Sequence, residues 1–363
     1  MGSVVLAGGG SAGHTSPLIA TAKALLAADP SLDVVAVGTA RGLETRVIPA
    51  AGLPLELIDP VPLPRRPGAD LAKVPFRLRT AVRQAREILE RHDADAVVGF
   101  GGYVSMPVYL AARARRIPIV VHEQNALPGV ANKVAARFSR HVMVSFPDTP
   151  LPGARLVGLP IRREIAELDR AARRDSAAVG FDLDPQRPIL LVSGGSQGAR
   201  SINSAVVGAR DALLAAGISI LHVLGLRNIT ESDVAIDDPT TGAQYRPVGF
   251  VDEMADAYAA ADLMLCRSGA GTVVETAVTA LPAIFVPLPH GNGEQARNAD
   301  PLMAADAGVL VPDAECDAAR VSAEVRALMT DPQALVAMGE RARAVVPGDA
   351  DQRMAQVVLE VIG

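Results

Sequence analysis

Twice in this chain a short β-branched run stops on a cluster of glycines and gives way to a helix-forming stretch. The first is "VVLAGGGSAGH" from Val4 to His14, and the second is "PILLVSGGSQGA" from Pro188 to Ala199. A strand that turns on glycines directly into a helix opens a doubly wound parallel sheet. Meeting that opening once in each half predicts two such domains. The alternation that follows each turn agrees: "DVVAVG", "DAVVGFGG" and "IPIVVHEQ" in the first half, then "ISILHVLG", "DLMLCRSGAGT" and "LPAIFVPLP" in the second. Strands of this kind, separated by Ala/Leu/Arg-rich helices, belong to parallel sheets covered on both faces. The seam is expected at the Gly/Pro-containing stretch Leu159–Arg163. This gives an N-terminal domain of residues 1–161, with a last helix, 349–363, packing back on it, and a C-terminal domain of residues 162–346. Ligands of such sheets lie at the carboxyl ends of the strands, so a cleft between the halves is the expected site.

Bulk properties narrow the class. The chain has 363 residues, 49% hydrophobic and 21% charged, which suits two ordinary cores and excludes a disordered chain. A formal net charge of -5 argues against general nucleic-acid binding. The two cysteines, Cys266 and Cys316, make neither a disulfide framework nor a metal-ligand pair. No apolar run approaches about 18 residues and the start carries no leader pattern, so a chain neither secreted nor membrane-spanning is expected.

The first glycine turn matches the Gly8-x-Gly10-x-x-Gly13 fingerprint of nicotinamide enzymes, but that reading needs an acid at the end of the second strand. Thr39-Ala40-Arg41 stand there, and the first acid, Glu44, comes several residues late. His14, in contrast, lies in the first turn of the expected helix, where the helix dipole disfavours imidazolium and leaves a neutral ring able to accept a proton. Gly101, Gly102 and Tyr103 in "GFGGYVSMP", and Glu123 and Asn125 in "VHEQNALPG", stand at neighbouring strand ends. A lone histidine is ordinarily structural; joined by a carboxylate and an amide it becomes a candidate base.

The second half is more specific. "LCRSGAGTVVETAVTALPAIFVPLPHGNGEQARNA" runs strand, Ser-Gly-Ala-Gly-Thr turn, helix, strand and polar loop. Amides at the helix start attract phosphate oxygens. Glu275, three residues after Thr272, can accept from both hydroxyls of a ribose; it can also be merely the capping-box partner of Thr272. Glu294, Gln295 and Asn298 suit sugar hydroxyls. A nucleotide diphosphate sugar satisfies all three features.

With these motifs in order, the chain resembles the MurG family, the bacterial N-acetylglucosaminyltransferases that make lipid II, over almost its whole length. "GGGSAGHTSP", "GFGGYVSMP", "HEQNALPG", "SGGSQGARSIN", "GFVDEMADAYAAADLMLCRSGAGTVVE" and "LPAIFVPLPHGNGEQARNA" carry the resemblance. It implies a two-domain glycosyltransferase-B fold, with the Rossmann-like domains facing across a cleft. It also implies transfer of N-acetylglucosamine from UDP to the C4 hydroxyl of a lipid-linked muramyl pentapeptide, with Tyr103 in the catalytic set. Donor contacts are implied for Ser11, Ala12, Gly13, Asn125, Arg162, Ser196, Gln197, Val251, Ala270, Gly271, Thr272, Glu275 and Gln295. Three departures stand out: Ala12 where the family has glycine, Leu159 where it prefers asparagine, and Glu294 in place of the first glutamine of a pair.

Breaking the anomeric bond builds negative charge on the departing diphosphate. The Asp-x-Asp spacings at Asp93/Asp95, Asp182/Asp184 and Asp349/Asp351 are no more than chance supplies, and the first precedes its strand. No metal and no cofactor are therefore expected; the Ser268–Thr272 helix start and Arg162 would hold the diphosphate. Direct, inverting displacement needs a base, with His14 first and Glu123 second. The acceptor's lipid implies peripheral attachment at the cytoplasmic face of the membrane. The stretch Arg65–Arg86 offers Arg65, Arg66, Lys73, Arg77, Arg79, Arg83 and Arg86 interleaved with Leu71, Val74, Phe76 and Leu78, a pattern suited to an anionic surface or to a plain solvated helix face. A UDP-sugar epimerase and a non-catalytic UDP-sugar sensor are the rival classes.

Overall fold

The computed structural model describes residues 2–40, 42–61, 69–195, 197–290 and 292–363, apart from the side chains of residues 12 and 69–72. The chain forms two compact units: residues 1–162 together with 349–363, and residues 163–348. The division falls between Arg162 and Arg163.

Among the described residues, the first unit holds a seven-stranded parallel sheet in the order β3-β2-β1-β4-β5-β6-β7. Its strands are β1 (Ser3–Ala7), β2 (Asp33–Gly38), β3 (Leu55–Leu57), β4 (Ala96–Gly99), β5 (Ile119–Glu123), β6 (His141–Val144) and β7 (Ala154–Leu156). Alternate side chains of one strand serve opposite faces. Val5, Ala7, Val35, Val37 and Val97 pack with Val104 and Val108 of the helix Gly102–Arg115 and with Ala81, Ala85 and Ile88 of the helix Ala69–Arg91. Val4, Leu6, Val34 and Ala36 pack with Leu18, Ala22 and Leu25 of the helix Ala12–Ala28. The same face receives Met354, Ala355 and Val358 of the final helix, Ala350–Ile362. Two apolar faces explain why these strands read as unbroken hydrophobic runs rather than as alternating ones.

The second unit repeats the scheme with β8 (Ile189–Ser193), β9 (Ser219–Val223), β10 (Ile236–Asp237), β11 (Gln244–Val248), β12 (Leu263–Cys266), β13 (Ala283–Phe285) and β14 (Val309–Leu310), ordered β10-β11-β9-β8-β12-β13-β14. Among the described residues only the β10–β11 pair is antiparallel.

The strand order reverses at β1 in the first unit and at β8 in the second, each of which carries a glycine turn at its carboxyl end. In the first unit that turn is held by Glu44, which has no exposed surface. One carboxylate oxygen accepts from the backbone N–H of Thr39 at 3.0 Å and from its hydroxyl at 2.9 Å; the other accepts from the N–H of Gly10 at 3.2 Å. The acid that comes too late to meet a nicotinamide ribose is thus turned inward, tying the β1 turn to the end of β2. At the opposite end of the sheet, Asp95 accepts from the N–H of Ser3, which gives that Asp-x-Asp pair a backbone-bracing place. Asp182 pairs with Arg246, and Asp349 pairs with Arg353.

The base of the same sheet carries a titratable cluster. His92 meets Asp33 through Nδ1 at 3.0 Å and Glu56 through Nε2 at 3.1 Å. Partial burial opposes charge on this ring, but the two carboxylates outweigh it and raise the pKa above its ordinary value. The stabilisation from protonated His92 is therefore full below about pH 6.5 and is lost as pH rises through the raised folded value. Between about pH 5.5 and 8.5, the urea midpoint of His92→Gln should accordingly fall less than that of the parent. Glu44→Ala should lose about 2–4 kcal/mol in urea unfolding, because it strands the two buried donors of Thr39 and releases the N–H of Gly10, while Thr39→Val should lose about 1 kcal/mol.

Candidate active site

In the first unit the helix Ala12–Ala28 begins with Ser11 as its N-cap, which puts His14 in the first turn. The Ser11 hydroxyl does not cap the helix; it lies 2.9 Å from Nδ1 of His14, so either atom of that pair donates according to the tautomer. His14 is half-buried, and Ser11 and Gly13 are exposed. Burial lowers the pKa of His14, and the neighbouring Glu44 charge, which works the other way, does not restore it. The ring is neutral near pH 7 for two reasons, the second being the helix dipole.

Tyr103, in the first turn of the helix Gly102–Arg115, sets its hydroxyl 3.2 Å from that of Thr39. Its ring lies so close to Gly10, whose φ is +89°, that a Cβ there would come within 2.7 Å. Gly10 is glycine for both reasons, the left-handed backbone and the approaching ring. Ser11, His14 and Tyr103 thus gather at the carboxyl ends of β1 and β4, around the Thr39–Glu44 link.

Glu123 closes β5 and is only 2% exposed. Its oxygens accept from the N–H groups of Asn125 and Gly129, both at 3.0 Å, and from Nδ2 of Asn132 at 2.9 Å. Burial raises its pKa and these three bonds pull against that. Asn132 in turn accepts from the buried Tyr109 hydroxyl at 2.8 Å. The two candidate bases are therefore held by different partners: His14 by Ser11, and Glu123 by the loop it shapes. Asn125 is half-buried on that loop.

In the second unit the helix Ala270–Val278 starts after Gly269 and leaves Gly271 and Thr272 half-exposed in its first turn. The capping-box expectation for Glu275 fails here. The N-cap is Gly269 rather than Thr272, and Oε2 of Glu275 accepts from the Tyr258 hydroxyl at 2.7 Å. Asn298 also departs from its expected place. It has no exposed surface, and Nδ2 donates to the Ser268 carbonyl at 3.2 Å, so it braces the Ser-Gly turn from beneath instead of facing a sugar. Gln295 accepts from the N–H of Leu288, and Glu294 opens its helix with a bond to the N–H of Asn292. Gln197 is exposed and Val251 is buried. Ser196 lies outside the described residues, as do Arg65 and Arg66.

Several site residues were not foreseen. Arg267, directly after β12, is largely buried and donates to the carbonyls of Val286 and Pro287, to Asp313 and to Ser201. It knots together the loops around the Ser-Gly-Ala-Gly-Thr turn, and the sequence signal for it is a cation at the end of an apolar strand. Asn228 likewise holds the second glycine turn, through the carbonyls of Gln197 and Leu224.

The basic stretch resolves into two faces. Val74 and Leu78 are half-buried against the core, and Ala81, Ala85 and Ile88 are buried in it. Phe76 is 76% exposed beside exposed Lys73, Arg77 and Arg79. Further along, Arg83 pairs with Glu87 and Arg86 with Glu90, so the interleaved apolar surface shrinks to Phe76 among the described side chains. No described helix is long and apolar enough to cross a membrane.

Residues 4–144 match the glycosyltransferase family 28 N-terminal domain and residues 189–354 the C-terminal domain of that family. Among curated relatives, the UDP-N-acetylglucosamine--N-acetylmuramyl-(pentapeptide) pyrophosphoryl-undecaprenol N-acetylglucosamine transferase of Nocardioides sp. is 56% identical, over 99% of this chain and 98% of its own. The enzyme of that name from Cutibacterium acnes is 58% identical, over 99% and 97%. The crystal structure of Acinetobacter baumannii MurG superposes with a TM-score of 0.80 at 28% identity, covering 99% of this chain and all of that one. Both units, with the glycine turns and helix starts described above, lie within these matches. The chain belongs to glycosyltransferase family 28 and, within it, to the MurG family of N-acetylglucosamine transferases.

Proposed function

We propose that the chain transfers N-acetylglucosamine from UDP-N-acetylglucosamine to the C4 hydroxyl of the muramyl sugar of undecaprenyl-pyrophosphoryl-N-acetylmuramyl-pentapeptide, with inversion and without a metal ion. The observation that carries this reading is the near-full-length identity to transferases named for that donor and acceptor. The site chemistry supports it. Glu275 accepts from the ribose hydroxyls, and Gln295, on the polar loop, takes the sugar. The amides at the start of the helix Ala270–Val278 meet the diphosphate as charge grows on it, with Arg162 supplying a guanidinium.

His14 is the base in this scheme. With Nδ1–H donating to Ser11, Nε2 is the acceptor for the proton of the attacking hydroxyl. The depressed pKa keeps that nitrogen unprotonated at neutral pH. Glu123 shapes the Asn125–Gly129 loop, and Tyr103 fixes the wall of the glycine turn. Access to a lipid-linked acceptor comes through peripheral attachment at the cytoplasmic face of the membrane, with Phe76 and its flanking arginines meeting anionic headgroups.

The test is incubation with labelled UDP-N-acetylglucosamine, with and without the lipid-linked acceptor. Label should enter lipid only when acceptor is present, with inverted anomeric configuration and undiminished by EDTA. An epimerised nucleotide sugar in either tube, or no turnover at all, rejects the transferase reading, and loss of turnover in EDTA rejects its metal-free part. His14→Ala should lower kcat by about 10²–10⁴-fold while UDP binds nearly as before. Charge reversal at Arg77 and Arg79 should weaken binding to anionic vesicles by upward of about 1 kcal/mol per residue, leaving turnover of a soluble short-chain acceptor intact.

A further inference from the structure

Glu275 is not held by its own helix alone. The hydroxyl that reaches its carboxylate belongs to Tyr258, on the neighbouring helix Met254–Ala260, at 2.7 Å. Tyr258 is 2% exposed, so its ring has one orientation. Its backbone is fixed as well. The Arg170 guanidinium donates to the carbonyl of Tyr258 at 3.0 Å, to that of Ala261, and to that of Ala280, two residues beyond the end of the Glu275 helix, at 2.8 Å. One cation therefore ties the segment that carries the tyrosine to the segment that carries the glutamate. Packing alone would be served as well by phenylalanine at this buried position. The hydroxyl is the part that packing does not explain.

We propose that Tyr258 is a positioning residue for the nucleotide. Its O–H holds the Glu275 carboxylate in the one rotamer that presents it to the ribose hydroxyls of a uridine diphosphate. A glutamate side chain left to itself samples several rotamers, and fixing it on binding costs affinity. A carboxylate has roughly four acceptor positions. The tyrosine donor takes one and sets the plane of the rest, whereas a ribose brings two donors. The inference deepens the reading of Glu275 as the ribose ligand and rests on it.

The experiment is calorimetric titration of Tyr258→Phe, Glu275→Ala and the double variant with UDP and with 2′,3′-dideoxy-UDP. Tyr258→Phe should weaken UDP about five- to thirtyfold, less than the full loss of a hydrogen bond to a charged group because the glutamate itself remains. It should bind dideoxy-UDP as the parent does, which also reports that the variant is folded. The double variant should bind UDP no worse than Glu275→Ala, since the tyrosine acts only through the glutamate. In turnover, the donor KM should move more than kcat. Parent-like UDP affinity in Tyr258→Phe, beside a clear loss in Glu275→Ala, overturns the positioning role and leaves the ribose reading standing. An equal loss for UDP and dideoxy-UDP in Tyr258→Phe overturns it too, as the mark of a merely structural residue. Parent-like UDP affinity in Glu275→Ala removes the ribose reading itself, and the inference with it.

Discussion

A glycine-rich turn lets a ligand approach the backbone because it has no side chains, and for the same reason it cannot hold its own shape. The sites described here depend on how that deficit is met. Each turn is supported by a polar side chain, buried for Glu44, Asn298 and Glu123 and half-buried for Asn228. Glu44 ties the first turn to the end of β2, and Asn228 holds the second. Asn298 holds the Ser268 carbonyl of the third. Glu123 does the same for the loop after β5. A buried carboxylate or amide is costly unless its hydrogen bonds are made, so Glu44, Glu123 and Asn298 are as dependent on their turns as the turns are on them.

The sheets decide where these turns stand. Strands covered on both faces cannot offer a ligand their flat sides, so chemistry is confined to the loops at their ends. In both units the order reverses beside the strand that carries a glycine turn, and helices leave that point toward opposite faces. This places a helix start, with its partial positive charge, beside each of those points. A single rule of connection thus produces two sites with different partners: a neutral imidazole in one, a carboxylate and a row of amides in the other.

Much of this was legible in the sequence because it is local. The strands β1, β2, β4, β8, β12 and β13 are near-continuous apolar runs, β5 and β9 are largely so, and the turns announce themselves by glycine. The rest is short or tertiary. β10 and β14 have two residues each, β7 is exposed, and β11 carries Arg246 and Pro247 within its five residues, so periodicity gives no signal. The supports were hidden for another reason. Glu44 and Gly10 lie far apart in the chain, and Tyr258 and Glu275 sit on different helices, so only folding brings each pair together. Glu44 drew notice for an acid that the nicotinamide pattern lacked, and its real role lay on the inner side of the same turn. The polar loop suggests that Asn298 faces a sugar; in the fold it is buried and donates to the Ser268 carbonyl.

The route of the backbone has a consequence for how the molecule is made. The second unit is one continuous stretch, 163–348, whereas the first is assembled from both ends of the chain. Met354, Ala355 and Val358 fill the face of the first sheet that Leu18 and Leu25 also line, so that core stays open until the helix Ala350–Ile362 has left the ribosome. The half made later is then the half that can finish folding first, a reversal of the usual N-to-C order of domain folding. During synthesis the β1–β2 face waits with apolar surface uncovered until the helix Ala350–Ile362, made after the whole second unit, closes it.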